Sequence, residues 1–172
     1  MTPRLRKFAL TTHITSSVGW LGAVISYLSL AVVTRTNQDV QMVRAAYFAL
    51  EPITLYVIVP LSFTSLLTGL VMSLGTSWGL FRHYWVVFKL LLTVFATVIL
   101  LGFTQTLNSM VAVASDPTTS IIELRAMGAG LGHAVGALIV LLVITILSVY
   151  KPRGITPYGW RKLHERSTES QP

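Results

Sequence analysis

The 172-residue chain contains no cysteine, which excludes disulfides, thiolate metal sites and iron–sulfur clusters. Charge is scarce: only 11% of residues are charged, against roughly a quarter in a soluble domain. Acidic residues are scarcer still, with 6 Asp and Glu against 13 Lys and Arg. The motifs of soluble catalysis are missing, with no phosphate-binding glycine loop, no HExxH and no nucleophile elbow. The "GAGLG" at residues 128–132 sits in an apolar segment, without the strand that a dinucleotide fingerprint needs. The alternating segments of a membrane β-barrel are absent too.

What the chain has is apolar sequence, 53% of it, gathered into blocks. A helix crossing a hydrocarbon core of about 30 Å needs roughly 20 residues, and four blocks qualify: about 9–33, 53–74, 85–107 and 125–149. These predict an all-α polytopic membrane protein, a four-transmembrane-helix bundle over residues 1–153 with a basic tail over 154–172. The first block follows a basic start, as a signal peptide does. Its apolar run is too long for that, and "SYLSLAVVTRT" lacks a small-x-small cleavage site, so it reads as a retained helix.

The net charge of +7 could suggest a nucleic-acid partner, but its distribution points to the lipid bilayer. Arg4, Arg6, Lys7, Arg82, Lys151, Arg153, Arg161, Lys162 and Arg166 all fall on one side of four alternating spans. The other side holds Arg35, Arg44 and Arg125, offset by Asp39, Glu51, Asp116 and Glu123. The positive-inside pattern then predicts a cell-membrane protein with both termini cytoplasmic, its basic tail able to touch anionic lipid heads. Nucleic acid is not expected as a partner.

The connections carry their own signals. Asn37 reads as an N-cap, and Val40, Val43, Ala46, Tyr47 and Leu50 recur at helical spacing. They predict an amphipathic helix from about 38 that runs into the second span. Pro52 and Pro60 each remove a backbone hydrogen bond and should bend it, with Ser62, Thr64, Ser65 and Thr68 available to satisfy freed carbonyls. Trp78, Tyr84 and Trp85 read as interfacial belt residues, Asp116-Pro117 as a turn, and the final polar residues as disordered.

Few ionisable residues lie in or beside the spans: His13, Glu51, His83, Lys89 and His133. Such residues are functional candidates by default, each needing a partner. At 1.5 Å per residue, His13 and Lys89 share a depth one to two turns from the inner side. His133 lies at mid-depth or beyond, with Glu51 near the outer edge. A single metal held by both His13 and His133 is disfavoured by a gap of roughly 15 Å. His83, between Arg82 and Tyr84, reads as solvated.

His13 heads a stripe of Ser16, Ser17, Trp20, Val24 and Tyr27 that should face the bundle, with Gly19 and Gly22 leaving space beside it. The plain alternative is an interfacial histidine bonded to a hydroxyl, and Lys89 can equally snorkel toward the surface. In "MGAGLGHAVGA", Gly128, Gly132 and Gly136 form a small-xxx-small ridge next to His133. The ridge predicts close helix packing, including a homo-oligomer or complex interface, or room for a flat macrocycle beside an axial imidazole.

"H…VGWLGAVISYL", "LEPITLYVIVP", Trp85 with Lys89, and the terminal "VYKP" resemble the HemJ-type protoporphyrinogen oxidases and the CopD-type copper-resistance membrane proteins. They also resemble four-helix bacterial membrane proteins of unknown function. The HemJ resemblance implies b-type haem and functional roles for His13 and Lys89. Trp20, Gly22 and Tyr27 match its first-helix pattern, and Glu51 and Pro60 its second. The glycine ridge with His133 departs from its fourth helix. The CopD resemblance implies copper, with Met110, Met127 and His133 as soft or imidazole ligands, although they form no recognisable copper box.

Three functions follow as expectations. The first is a haem b protein for electron transfer with quinone or for porphyrin chemistry. Its cofactor residues would be His13, Lys89, His133, Trp20, Tyr27, Gly132 and Gly136, with His13 as an iron ligand and His133 at a second ligand position or a second site. The second is copper or small-solute handling, and the third a non-catalytic partner subunit.

Overall fold

The computed structural model describes residues 2–75, 80–152 and 154–162. Helix α1 covers Pro3–Thr36, α2 Val40–Ile53, α3 Val59–Gly75, α4 Tyr84–Ser115, α5 Ile121–Met127 and α6 Leu131–Tyr150. A π-turn at Thr54–Ile58 joins α2 to α3, and a 3₁₀ turn at Gly128–Gly130 joins α5 to α6. Four spans therefore cross in alternation: α1, α2–α3, α4 and α5–α6. Each packs on its chain neighbours, and α1 also packs on α6, which closes the ring and sets α1 diagonally from α4. This is the all-α four-span bundle the apolar blocks predict. Trp78, Arg153, Arg166 and the final polar residues lie outside the described residues.

The helices outrun the apolar blocks because intrahelical hydrogen bonding does not stop at the hydrocarbon edge. The 34 residues of α1 span about 50 Å, more than the full bilayer with its headgroups. Pro3 occupies the first turn, where its missing N–H is no loss, and Thr2 Oγ1 accepts from Leu5 N. The buried face of α1 runs Ala9, Ser16, Trp20, Val24, Tyr27, Ala31 and Thr34, the stripe predicted from its spacing. Gly22 is exposed with nothing near it, so it faces outward rather than making room in the bundle.

The predicted amphipathic extension is there and runs unbroken into the second span, but its cap is not Asn37. Asn37 ends α1, its side chain taking the Asp39 N–H at 2.7 Å, and Asp39 caps α2 by accepting from Gln41 N at 2.9 Å. A lone Asn37 cap would leave the chain no room to turn; the Asn37–Asp39 pair turns it in two residues. Pro52 lies two residues before the start of the π-turn at Thr54, the wider winding that a missing N–H favours. Three of the four predicted hydroxyls bond carbonyls of their own preceding turn, Ser62 to Val59, Thr64 to Pro60 and Thr68 to Thr64, while Ser65 pairs with Ser17. They do not reach the carbonyls opposite the prolines.

The fourth span breaks where the sequence reads a continuous ridge. Gly128, Ala129 and Gly130 have φ of 71°, 44° and 63°, three left-handed residues in a row. Gly128 therefore ends α5 and shares no face with Gly132 and Gly136 on α6, which corrects the three-glycine ridge. The left-handed conformation at Ala129 costs about 1–2 kcal/mol, and surrounding bonds hold it. Tyr27 Oη donates to Ala129 O at 2.9 Å, Tyr47 Oη donates to Leu124 O at 2.9 Å, and Ala129 N donates to Tyr47 Oη at 3.2 Å. At Gly130 a Cβ would come within 2.2 Å of the Phe103 ring, so only glycine fits.

At the same end the arginines serve carbonyls. Arg44 bonds the carbonyls of Ala114, Asp116, Pro117 and Thr119, capping the negative end of α4. Arg125 Nε donates to Arg35 O at 2.9 Å while Arg35 donates to Arg125 O at 3.3 Å. At the opposite, basic end, Tyr84 N and Thr156 N donate to Gly154 O and Arg82 O. His83 is thereby bridged to Ile155 and lies against Trp85, with ring centroids 6.4 Å apart. His83 is thus built into a contact between the middle loop and the start of the basic tail.

Candidate functional site

The candidate residues fall into two places. Near the basic end, His13 is half-buried between α1 and α3. Its Nδ1 lies 3.1 Å from Ser65 O and 3.1 Å from Thr68 Oγ1. A carbonyl oxygen only accepts, so this bond assigns the proton to Nδ1 and leaves Nε2 bare in the neutral ring. Ser17 Oγ and Ser65 Oγ lie 2.8 Å apart beside it, and Ser16 Oγ donates to His13 O at 3.1 Å. The space for the ring comes from Gly69 on α3, where a Cβ would sit 3.1 Å from His13 Cε1. Gly19 instead faces Leu61, at 3.3 Å. Lys89 lies close enough to interact electrostatically with His13 and Lys151. Its ammonium sits 5.7 Å from the centroid of Trp85, one turn nearer the basic end.

The second place is a cavity of about 400 Å³ at the heart of the bundle. Trp20, Val24 and Tyr27 of α1 form one wall, Thr54 and Ile58 of the π-turn a second, Phe95 to Phe103 of α4 a third, and Gly132 to Leu141 of α6 the last. His133 lines it; His13, Lys89 and Glu51 do not. Trp20, Tyr27, Gly132, Gly136 and His133 are thus brought together, and the other predicted residues are not. The walls differ in exposure. Trp20, Val24, Tyr27, Thr54 and Ile58 are buried, whereas Phe95, Ile99, Gly132, His133 and Gly136 are exposed. The cavity therefore opens sideways between α4 and α6, onto the surface that an apolar span turns to lipid.

His133 makes no hydrogen bond among the described residues and is held only by stacking on Phe103, with centroids 4.7 Å apart and 27° between the planes. Tyr27 and Thr54, by contrast, spend their hydroxyls on Ala129 O and Leu50 O. A Cβ at Gly132 or Gly136 would meet no heavy atom within 4 Å, so the two glycines leave an open floor beside the imidazole.

The depths stay apart. Tyr27 is level with Ala129 through its hydrogen bond, so His133, one turn along α6, is level with about residue 23 of α1. His13 lies some ten residues further, about 15 Å away. No group of three or more His, Cys, Asp or Glu converges among the described residues. Met110 and Met127 pack as partly buried residues against the core.

Sequence reasoning placed Tyr47 on a helix face without its role at the turn, and missed Gly69, Phe103 and the left-handed turn itself. The signal for the turn was present, since two glycines flanking one small residue mark a backbone that needs positive φ. Gly69 and Phe103 carried none, because only the packing shows what they face. No family profile matches the chain, and neither a curated protein nor a solved structure matches it significantly. None of these comparisons links the chain to the HemJ-type or CopD-type families.

Proposed function

We propose that this multi-pass membrane protein binds a neutral, flat-ringed, lipid-soluble molecule in its central cavity, admitted sideways from the bilayer between α4 and α6. The observation that carries this is an unpartnered imidazole, His133, on an otherwise apolar cavity with an open glycine floor. A polar group that bonds nothing in apolar surroundings costs free energy, and membrane proteins keep such groups for ligands. The basic end is cytoplasmic in this reading. Organic extraction of the purified protein followed by mass spectrometry tests it. A neutral ring compound should accompany the wild type and be lost from Gly136→Phe, which fills the floor. Equal recovery from both proteins contradicts the reading.

Haem b does not fit this cavity. No Lys or Arg is among its lining residues, so two propionates would enter apolar surroundings unpaired. A haem reading is favoured instead at the other place, by the bond from His13 Nδ1 to Ser65 O. Metal-ligating histidines characteristically donate their second nitrogen to a carbonyl. There His13 Nε2 would hold the iron and Lys89 would meet a propionate. A Soret band in the purified protein that disappears in His13→Ala supports this second reading, and a colourless protein supplied with haem removes it.

A further inference from the structure

The cavity has a second polar atom, on the wall of α1. Trp20 is 3% exposed, and its indole N–H donates no hydrogen bond among the described residues. Yet no side-chain nitrogen or oxygen there is both sealed off and unpartnered. The N–H therefore keeps access to open space, and the open space Trp20 lines is the cavity. An indole N–H is a donor only. On the neighbouring wall, α6, stands His133, which donates or accepts according to its tautomer. The hydroxyls in the lining are already committed, and nothing in it is charged.

From this pair we infer that the ligand is a 1,4-quinone carrying an apolar tail. One ring carbonyl accepts from Trp20 Nε1–H and the other accepts from a ring N–H of His133. The ring lies over Gly132 and Gly136, and the tail leaves through the lateral opening past Phe95 and Ile99. The chemistry matches at each point: a neutral flat ring for an uncharged cavity, two acceptors for two unpartnered groups, and a hydrocarbon tail for a mouth open to lipid. A fatty acid or phospholipid fails this match, because its charged head would find no cation in the lining. This inference rests on the cavity reading above and names its ligand class.

The test is binding of a decyl-substituted 1,4-benzoquinone to the full chain in detergent by titration calorimetry, beside the decylbenzene with the same ring methyls and no oxygens. The quinone should bind more tightly than the hydrocarbon. Trp20→Phe and His133→Phe should each weaken it between two-fold and about ten-fold, the range of one hydrogen bond, and leave the hydrocarbon unchanged. His133 is exposed, so its variant keeps the fold even if Trp20→Phe does not. Hydrocarbon binding equal to quinone binding, or wild-type quinone affinity in His133→Phe, overturns the quinone assignment and leaves the cavity reading standing. If neither compound binds, and Gly136→Phe changes nothing in the extraction experiment, both fall.

Discussion

The bundle contains two membrane-embedded imidazoles treated in opposite ways. His13 bonds a carbonyl and a hydroxyl through Nδ1 and is cradled by Gly69. His133 bonds nothing among the described residues, lines a cavity and is exposed beside two uncrowded glycines. Both looked alike in the sequence, as lone histidines in apolar runs. The difference teaches that a polar residue in a membrane span declares its role by its partners. The satisfied imidazole fastens α1 to α3, whereas the unsatisfied one is the group on which the proposed ligand reading rests.

The contrast breaks first, and hardest, at the glycines. Gly69→Leu drives a side chain into the His13 ring and should cost about 1–3 kcal/mol by overpacking, read as a lowered thermal midpoint in detergent. Gly136→Leu meets nothing within 4 Å, so its midpoint should stay within about 0.5 kcal/mol of wild type while ligand recovery falls. Equal destabilisation by the two would erase the distinction between packed and open glycines. Next come the tyrosines that hold the cavity's far end. Tyr47→Phe loses two hydrogen bonds, leaving Leu124 O and Ala129 N without a partner, and should cost about 1–3 kcal/mol. Tyr27→Phe loses one and should cost less; the reverse order would contradict the account of the left-handed turn.

The histidines themselves come third. His13→Ala forfeits bonds to Ser65 and Thr68 and should lower stability by about 1–2 kcal/mol. His133→Ala should leave stability within about 0.5 kcal/mol and weaken ligand binding instead. Paired denaturation and binding curves decide it. The smallest effect is electrostatic and lies away from both sites. The Thr118 hydroxyl and N–H bonded to Asp116 hold its carboxyl below the usual carboxylate range, with Arg44 adding to the effect. A depressed folded pKa stabilises above the ordinary carboxylate range, and that contribution is lost as pH falls through the folded value. Acidification below about pH 4 should therefore lower the wild-type midpoint slightly more than that of Asp116→Asn, and identical acid profiles would contradict it.

Much of this molecule is legible in its sequence, for identifiable reasons. The four spans follow from block length and apolarity, and the α1 face from the spacing of Ser16, Trp20, Val24 and Tyr27. Local chemistry was legible where one residue decides it, as at Pro52 beside the π-turn. What the sequence hid was relational. That Gly128 leaves the face of Gly132 and Gly136 depends on three successive φ values held by tyrosines 82 and 102 residues away in the chain. The difference in depth between His13 and His133 was legible from helical rise, because depth in a membrane is one-dimensional arithmetic. Which of them was satisfied was not legible, because Ser65, Thr68 and Phe103 reach them from other helices.

The central claim is that a ligand enters from lipid and rests at His133 rather than His13. A lipid-soluble, ring-bearing photo-crosslinker activated in membranes containing the protein tests it most directly. Peptide mapping should place the label on Phe95 to Phe103 and Gly132 to Leu141, with protection by the decyl quinone. Label concentrated on α1 and α3 around His13 and Thr68, with none on α4 and α6, would contradict it.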